Sequence, residues 1–100
     1  MIKHIVFWKF AEAADGRSKA ENIEAVEKNL LALQICVPEL RKIEVGRDFN
    51  GSPAAYDLAL YTEFRSRDDL RAYQDHPEHG KVKDLVAAVT TDRAVVDYET

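Results

Sequence analysis

The first predicted strand carries apolar side chains on both of its faces. Residues Ile2–Phe10 are rich in β-branched and aromatic types, which favour an extended conformation. The even-numbered positions from His4 onward point one way, whereas Ile5 and Phe7 point the other way. A strand with water on one side should alternate cleanly between apolar and polar residues. We therefore expect this strand to lie in a sheet that is covered on both faces.

Similar patterns predict the other elements of one domain spanning residues 1–100. Ser18 with Glu21 and Ser66 with Asp69 have the spacing of helix-start signals. The first helix should end near Cys36, because a following proline disfavours helical geometry. The predicted strands are Ile2–Phe10, Leu40–Phe49, Tyr56–Phe64 and Thr91–Glu99, and the predicted helices begin near Ser18, Ser66 and Pro77.

The order βαββααβ predicts a ferredoxin-like α+β fold, with a four-stranded antiparallel sheet in the strand order 4-1-3-2. Helices cover only one face of such a sheet, and an apolar patch left on the other face usually marks an interface. We expect a two-fold homodimer packed sheet to sheet, in which each buried apolar side chain contributes ~1.5–3 kcal/mol. The side chains predicted on this open face are Ile5, Phe7, Ala59, Tyr61, Val96 and Tyr98.

Composition excludes several classes of partner. There are 14 basic and 18 acidic residues without a dense basic cluster, so nucleic acid is not expected. No apolar run is long enough to cross a bilayer, and the amino-terminal segment is typical of a strand rather than a signal peptide. Cys36 is the single cysteine, which excludes an internal disulfide and indicates a reducing, cytoplasmic setting. No phosphate-binding loop or dinucleotide fingerprint is present, so no cofactor is expected.

The segment Tyr73–His79 holds two of the three histidines beside a tyrosine. His79 is the best candidate for an acid or base, with Tyr73 hydrogen-bonded to it or to a ligand. Alternatively, His79 packs against the sheet edge in the first turn of a helix. His76 precedes a proline at a helix junction, a position typical of capping. The two histidines with a neighbouring carboxylate have metal-ligand spacing but no distant partner, so no metal is expected.

A second group of candidates lies on the strands. His4 sits among apolar neighbours, and in the predicted strand order Asp97 approaches it and orients its ring. Trp8, Tyr56, Leu60 and Val95 either line a pocket between sheet and helices or fill that space.

Five segments, in the same order along the chain, resemble the stress-responsive A/B barrel (Dabb) domain family. They are Lys3–Phe10 (KHIVFWKF), Pro38–Gly46 (PELRKIEVG), Tyr56–Phe64 (YDLALYTEF), Leu70–His79 (LRAYQDHPEH) and Val96–Glu99 (VDYE). The resemblance runs nearly end to end and implies a dimer whose two sheets close into an α+β barrel.

The resemblance also bears on individual residues. Plant polyketide cyclases of the olivetolic acid type share this fold and use a cavity between sheet and helices. Their helical tyrosine and the second histidine of a His-Pro-x-His stretch match Tyr73 and His79, and their early strand histidine matches His4. Leu58 stands where those cyclases carry a further cavity histidine, so the chain departs from their pattern at that position.

These observations predict a dimer with one small apolar or aromatic ligand per subunit and cofactor-independent acid/base chemistry of cyclase or isomerase type. The alternatives are a non-catalytic structural or interaction dimer and a cofactor-free monooxygenase-like enzyme, so catalysis itself stays open. A cavity of at least ~300 Å³ reaching His79 would favour ligand binding. The candidate catalytic residues are His79, Tyr73 and His4, and the candidate ligand-contacting residues are Trp8, Tyr56, Leu58, Leu60, His76, Val95 and Asp97.

Overall fold

The structure, a computed structural model, describes all 100 residues. Its main elements follow the predicted order βαββααβ, with one additional short hairpin after the first strand. The two middle strands are shorter than predicted, since each begins two residues later than expected and the first of them also ends two residues earlier. The elements are β1 (Ile2–Phe10), β2 (Ala13–Ala14), β3 (Arg17–Ser18), α1 (Lys19–Cys36), β4 (Lys42–Arg47), β5 (Leu58–Phe64), α2 (Arg67–Asp75), α3 (Pro77–Val89) and β6 (Thr90–Glu99).

The additional hairpin, β2–β3, turns at Asp15 and Gly16, both of which have positive φ angles. An Asp-Gly pair is the strongest short-range signal for such a turn, because both central residues must adopt the left-handed conformation. The hairpin leads directly into α1, where Ser18 and Glu21 form the predicted capping box.

The main sheet has the order β4-β5-β1-β6 with every neighbouring pair antiparallel, which confirms the predicted topology. β1 is central and pairs with β5 from Ile2 opposite Phe64 and with β6 from Ile2 opposite Glu99. The register with β6 places His4 opposite Asp97 and Trp8 opposite Arg93.

One face of the sheet packs against the helices and forms the core. The even-numbered residues of β1 are buried, as the alternation predicts. α1 contributes the buried residues Val26, Leu30 and Leu33, and also Asn22, whose side-chain amide donates to the carbonyl oxygen of Ala14 at 3.0 Å. Asn22 therefore joins α1 to the short hairpin beside it.

The other face of the sheet has no helix over it. Phe7, Val96 and Tyr98 on this open face expose 38%, 57% and 44% of their surfaces, and Ile5, Ala59 and Tyr61 are half-buried. At the margin of the face, the ammonium groups of Lys3 and Lys42 each lie 5.7 Å from the centre of the Tyr61 ring. None of the three helices combines the length and apolar character that a membrane span requires.

Candidate functional site

A cleft of about 630 Å³ lies between α3 and the strands β1 and β6. It exists because β6 is an edge strand whose residues remain largely exposed, so the helical layer leaves space beside it. Val6, Trp8 and Leu60 line it from the sheet, and Val82 and Val86 line it from α3. The predicted catalytic residues His4, Tyr73 and His79 all line this same cleft.

The position of Tyr73 is determined by α2. Ser66 caps this helix by accepting from the backbone N–H of Asp69 at 3.1 Å, and the helix turns Leu70 and Tyr73 toward the core. The Tyr73 side chain is completely buried, and its hydroxyl has no hydrogen-bond partner. Burial raises the pKa of Tyr73 to about 12, so the phenol is neutral at pH 7 and can act as a hydrogen-bond donor.

His79 occupies the first turn of α3. Pro77 begins this helix with a backbone angle suited to its first position, which directs the half-buried His79 ring toward Tyr73. The two ring centres are 4.6 Å apart in an edge-to-face arrangement, and His79 Nδ1 is buried without a partner.

Charge and burial together keep the His79 imidazole neutral. Its pKa is lowered chiefly by burial and further by the proximity of His4, Lys83 and Arg93, while the backbone of Gln74 acts in the opposite direction. A neutral imidazole has one nitrogen that can accept a proton, so His79 is suited to act as a base.

His4 is also a neighbour of Tyr73, with 6.4 Å between the two ring centres. Its Nδ1 is 2.5 Å from Asp97 Oδ1, which confirms the predicted approach of these residues. An ionised carboxylate can only accept hydrogen bonds, so His4 Nδ1 donates, and the ring is fixed in one orientation. A chain of contacts therefore leads from the exposed Asp97 through the buried His4 and Tyr73 to the half-buried His79.

Five of the seven predicted ligand-contacting residues lie outside the cleft, and Tyr56 and His76 are two of them. The Tyr56 ring contacts Phe7, with 6.0 Å between the ring centres, and the ammonium of Lys9 lies 5.0 Å from the centre of the Tyr56 ring. Tyr56 therefore lies on the open face. His76 caps α3 instead, because its Nδ1 accepts from the backbone N–H of Glu78 at 3.1 Å. Neither residue contributes to the cleft surface.

Leu58, Val95 and Asp97 also lie apart from the cleft, whereas Trp8 and Leu60 line it. Leu58 is buried and borders a separate depression on the open-face side, of about 370 Å³. Val95 pairs with Val6 on the edge strand and is 44% exposed.

Two cationic residues of the cleft were not among the predicted site residues. Lys83 lies one helical turn after His79, and Arg93 shares its face of β6 with Val95 and Asp97. The four-residue spacing from His79 to Lys83 and the alternation of β6 at Arg93 are the sequence signals that indicate these two positions. No group of three or more His, Cys, Asp or Glu side chains is placed to share a metal ion.

Comparison with known proteins identifies a family for this arrangement. Residues 2–100 match the family model of the stress responsive A/B barrel domain, Dabb. A stress-response A/B barrel domain-containing protein of Arabidopsis thaliana is 29% identical in an alignment of 102 residues, gaps included. The alignment covers 98% of this chain and 36% of that protein. The chain thus spans about a third of that relative's length.

Two solved structures of similar proteins are described as dimeric. A dimeric protein of unknown function with a ferredoxin-like fold from Bacteroides fragilis is 34% identical, with a TM-score of 0.87 over 99% of this chain and 95% of that one. A dimeric ferredoxin-like protein of unknown function from Thermobifida fusca is 29% identical, with a TM-score of 0.84 over 99% and 90% of the two chains. Both agree with the fold predicted from the sequence.

Proposed function

Because the chain belongs to the stress responsive A/B barrel domain family over residues 2–100, we propose that it is a homodimer whose subunits each bind a small apolar or aromatic molecule in the cleft. There it catalyses cofactor-independent proton transfer of the isomerase or cyclase type. The observation that carries this proposal is the pair of unpartnered buried atoms, the Tyr73 hydroxyl oxygen and His79 Nδ1, on two residues that line the same cleft.

Unpartnered polar atoms support ligand binding for an energetic reason. Nearly all buried polar groups in proteins have a hydrogen-bond partner, because burying one without a partner is unfavourable. Here two such groups belong to adjacent rings whose centres are 4.6 Å apart. A carbonyl or hydroxyl group of a bound molecule would supply the missing partners, while Val6, Trp8 and Leu60 would contact its apolar part.

The two groups suit the two halves of an enolisation. Neutral His79 would take a proton from the carbon beside a carbonyl group, and the electron pair of that C–H bond would move onto the carbonyl oxygen. The Tyr73 hydroxyl would donate a hydrogen bond to this oxygen as its negative charge develops. Return of the proton at another carbon gives isomerisation, and attack of the enolate carbon on a second carbonyl gives an aldol-type cyclisation.

His4 would act as a positioning residue in this scheme. The Asp97 carboxylate fixes its ring, and the ring in turn lies edge-on to Tyr73. His4 also contributes to the low pKa of His79, so it favours the neutral base.

The dimer would form through the open face of the sheet. The proposed interface comprises the six predicted side chains, Ile5, Phe7, Ala59, Tyr61, Val96 and Tyr98. The dimeric relatives support the formation of a dimer. The single free thiol, Cys36, is exposed, which supports a cytoplasmic location.

The proposal can be tested with an enolisable apolar ketone such as 1-tetralone. Trp8 is the only tryptophan of the chain and lines the cleft, so its indole N–H signal in a ¹H–¹⁵N spectrum should shift and saturate on binding. In D₂O, the protein should accelerate exchange of the hydrogens beside the carbonyl. His79→Gln should remove at least ~10²-fold of this acceleration, a typical contribution of a general base.

His76→Gln is the matched control, because His76 lies three residues away and outside the cleft. Full exchange activity in His79→Gln would contradict the assigned base. Saturable binding with no exchange in any variant would favour a ligand-binding protein without a reaction. Oxygen uptake with an activated aromatic substrate would favour the monooxygenase-like alternative.

A further inference from the structure

The rim of the cleft carries two cationic side chains from different elements. Lys83 projects from α3 and Arg93 from β6, and both line the cleft. Neither has a carboxylate within 4.0 Å, although other basic residues such as Lys81 and Arg71 form close ion pairs. Both positive charges are therefore available to a ligand.

The carboxylates of Asp75 and Asp92 also border the cleft, but neither forms an ion pair with Lys83 or Arg93. Asp92 pairs with Lys9, an open-face residue, so the alternation of β6 directs its side chain away from that of Arg93. Asp75 is the last residue of α2. The side chains whose charges act on His79 are His4, Lys83 and Arg93, and no carboxylate is among them.

We propose that the cleft selects small planar carboxylates, an inference that rests on the proposed function of the same site. The carboxylate of the ligand would lie at the rim between Lys83 and Arg93, because a guanidinium can bind both oxygens at once. The apolar part would contact Trp8, and a carbonyl or hydroxyl group at the other end would reach Tyr73 and His79.

A matched pair of probes tests this selection. 2-Naphthoate and 2-naphthamide have the same ring system, and only the first is charged. Titrations followed by the Trp8 indole signal should give a dissociation constant about tenfold lower for naphthoate, as expected for charge-assisted hydrogen bonds at a partly exposed site. Lys83→Met and Arg93→Met should each weaken naphthoate binding and leave naphthamide binding unchanged.

Lys81→Met is the control variant, since Lys81 lies on the same helix but is paired with Glu78 at 3.1 Å. Its affinity for naphthoate should equal that of the wild-type protein. Equal affinities of the wild-type protein for the two probes, with no effect of Lys83→Met or Arg93→Met, would overturn the carboxylate inference and leave ligand binding intact. Absence of binding by both probes and by 1-tetralone would overturn the proposed function as well.

Discussion

At the level of single residues, the Tyr73 hydroxyl group lowers the stability of the fold but is suited to binding a ligand. Its side chain is completely buried, yet its hydroxyl has no partner. Thr62 offers the opposite case, because its equally buried hydroxyl donates to the carbonyl oxygen of His4 at 3.0 Å. Leaving a buried polar group unpaired costs ~1–3 kcal/mol, whereas a satisfied one usually stabilises the fold by ~1 kcal/mol.

Tyr73→Phe should therefore leave the free energy of unfolding unchanged or raise it by ~1 kcal/mol, since it removes an unpaired hydroxyl and keeps the ring. Thr62→Val, which has nearly the same shape, should lower that free energy by ~1 kcal/mol. Urea unfolding of both variants measures the difference. If Tyr73→Phe proved as destabilising as Thr62→Val, the hydroxyl would already have a partner in the ligand-free protein.

The pKa of His79 predicts a second residue-level effect. It is lowered by burial and by His4 on β1, Lys83 on α3 and Arg93 on β6. Below pH 6.5, the usual His pKa, the unfolded chain binds a proton at this site before the folded one does. Stability should therefore fall as the pH is lowered from 6.5 through the folded-state pKa, and proton-transfer activity should decline over the same window.

His79→Gln isolates this contribution from the other titrating groups. Unfolding free energies of the variant and the wild-type protein, measured at pH 7.5 and 5.5, should show a smaller loss in the variant. An identical loss in both proteins would mean that the His79 pKa is the same in the folded and unfolded states.

At the level of elements, the junction between α2 and α3 shows how local sequence positions the site. His76 accepts from the N–H of Glu78 and so caps α3, and Pro77 follows at the first helical position. His76→Ala should lower the free energy of unfolding by ~0.5–2 kcal/mol, the usual effect of losing an N-cap side chain. His76→Asn should recover most of that loss, because asparagine is a preferred N-cap residue.

The same pair of variants tests whether the junction acts on the cleft. Both should bind 1-tetralone as the wild-type protein does once folded, because His76 does not line the cleft. Thermal unfolding and the Trp8 indole titration measure the two effects separately. Weaker ketone binding by a fully folded His76→Asn would show that the ring of His76 itself contributes to binding.

Sequence periodicity predicted elements better than it predicted where each element begins. The alternation of β1 and the strand order together brought His4 to Asp97, as the register confirms. The alternation predicts the wrong face for Tyr56, because β5 begins two residues after it, at Leu58. Asp57 interrupts that pattern, since its backbone N–H donates to the Trp8 carbonyl oxygen and its carboxylate accepts from the Phe10 N–H.

The cleft itself depends on information that no single segment carries. Its width reflects how far α3 stands from the edge strand β6, a distance set by the packing of the whole helical layer. The contributions of Lys83 and Arg93 follow from their periodic positions only once α3 and β6 are known to face each other. Sequence motifs and periodicity identify the catalytic candidates His79, Tyr73 and His4. The cationic residues at the rim of the cleft are identified only from the assembled structure.

At the level of the whole molecule, the open face sets the expected state of association. Phe7, Val96 and Tyr98 leave apolar surface exposed on one side of the sheet, and burial of such surface contributes ~25 cal/mol per Å². Ile35 on α1 is exposed to 90%, but it lies on a helix, away from the sheet. A sheet-to-sheet dimer therefore predicts opposite outcomes for charge placed at these two kinds of site.

Val96→Asp should shift the protein from a dimer to a monomer of 11.4 kDa at micromolar concentration, because it would bury a carboxylate without a partner in the interface. Ile35→Asp should remain dimeric, and sedimentation velocity separates the two results. Because one subunit already brings Trp8, Tyr73 and His79 to the cleft, a folded Val96→Asp monomer should still bind 1-tetralone. A dimer that survives Val96→Asp would exclude the open face as the interface, and a folded monomer that no longer binds the ketone would mean that the cleft depends on the partner subunit.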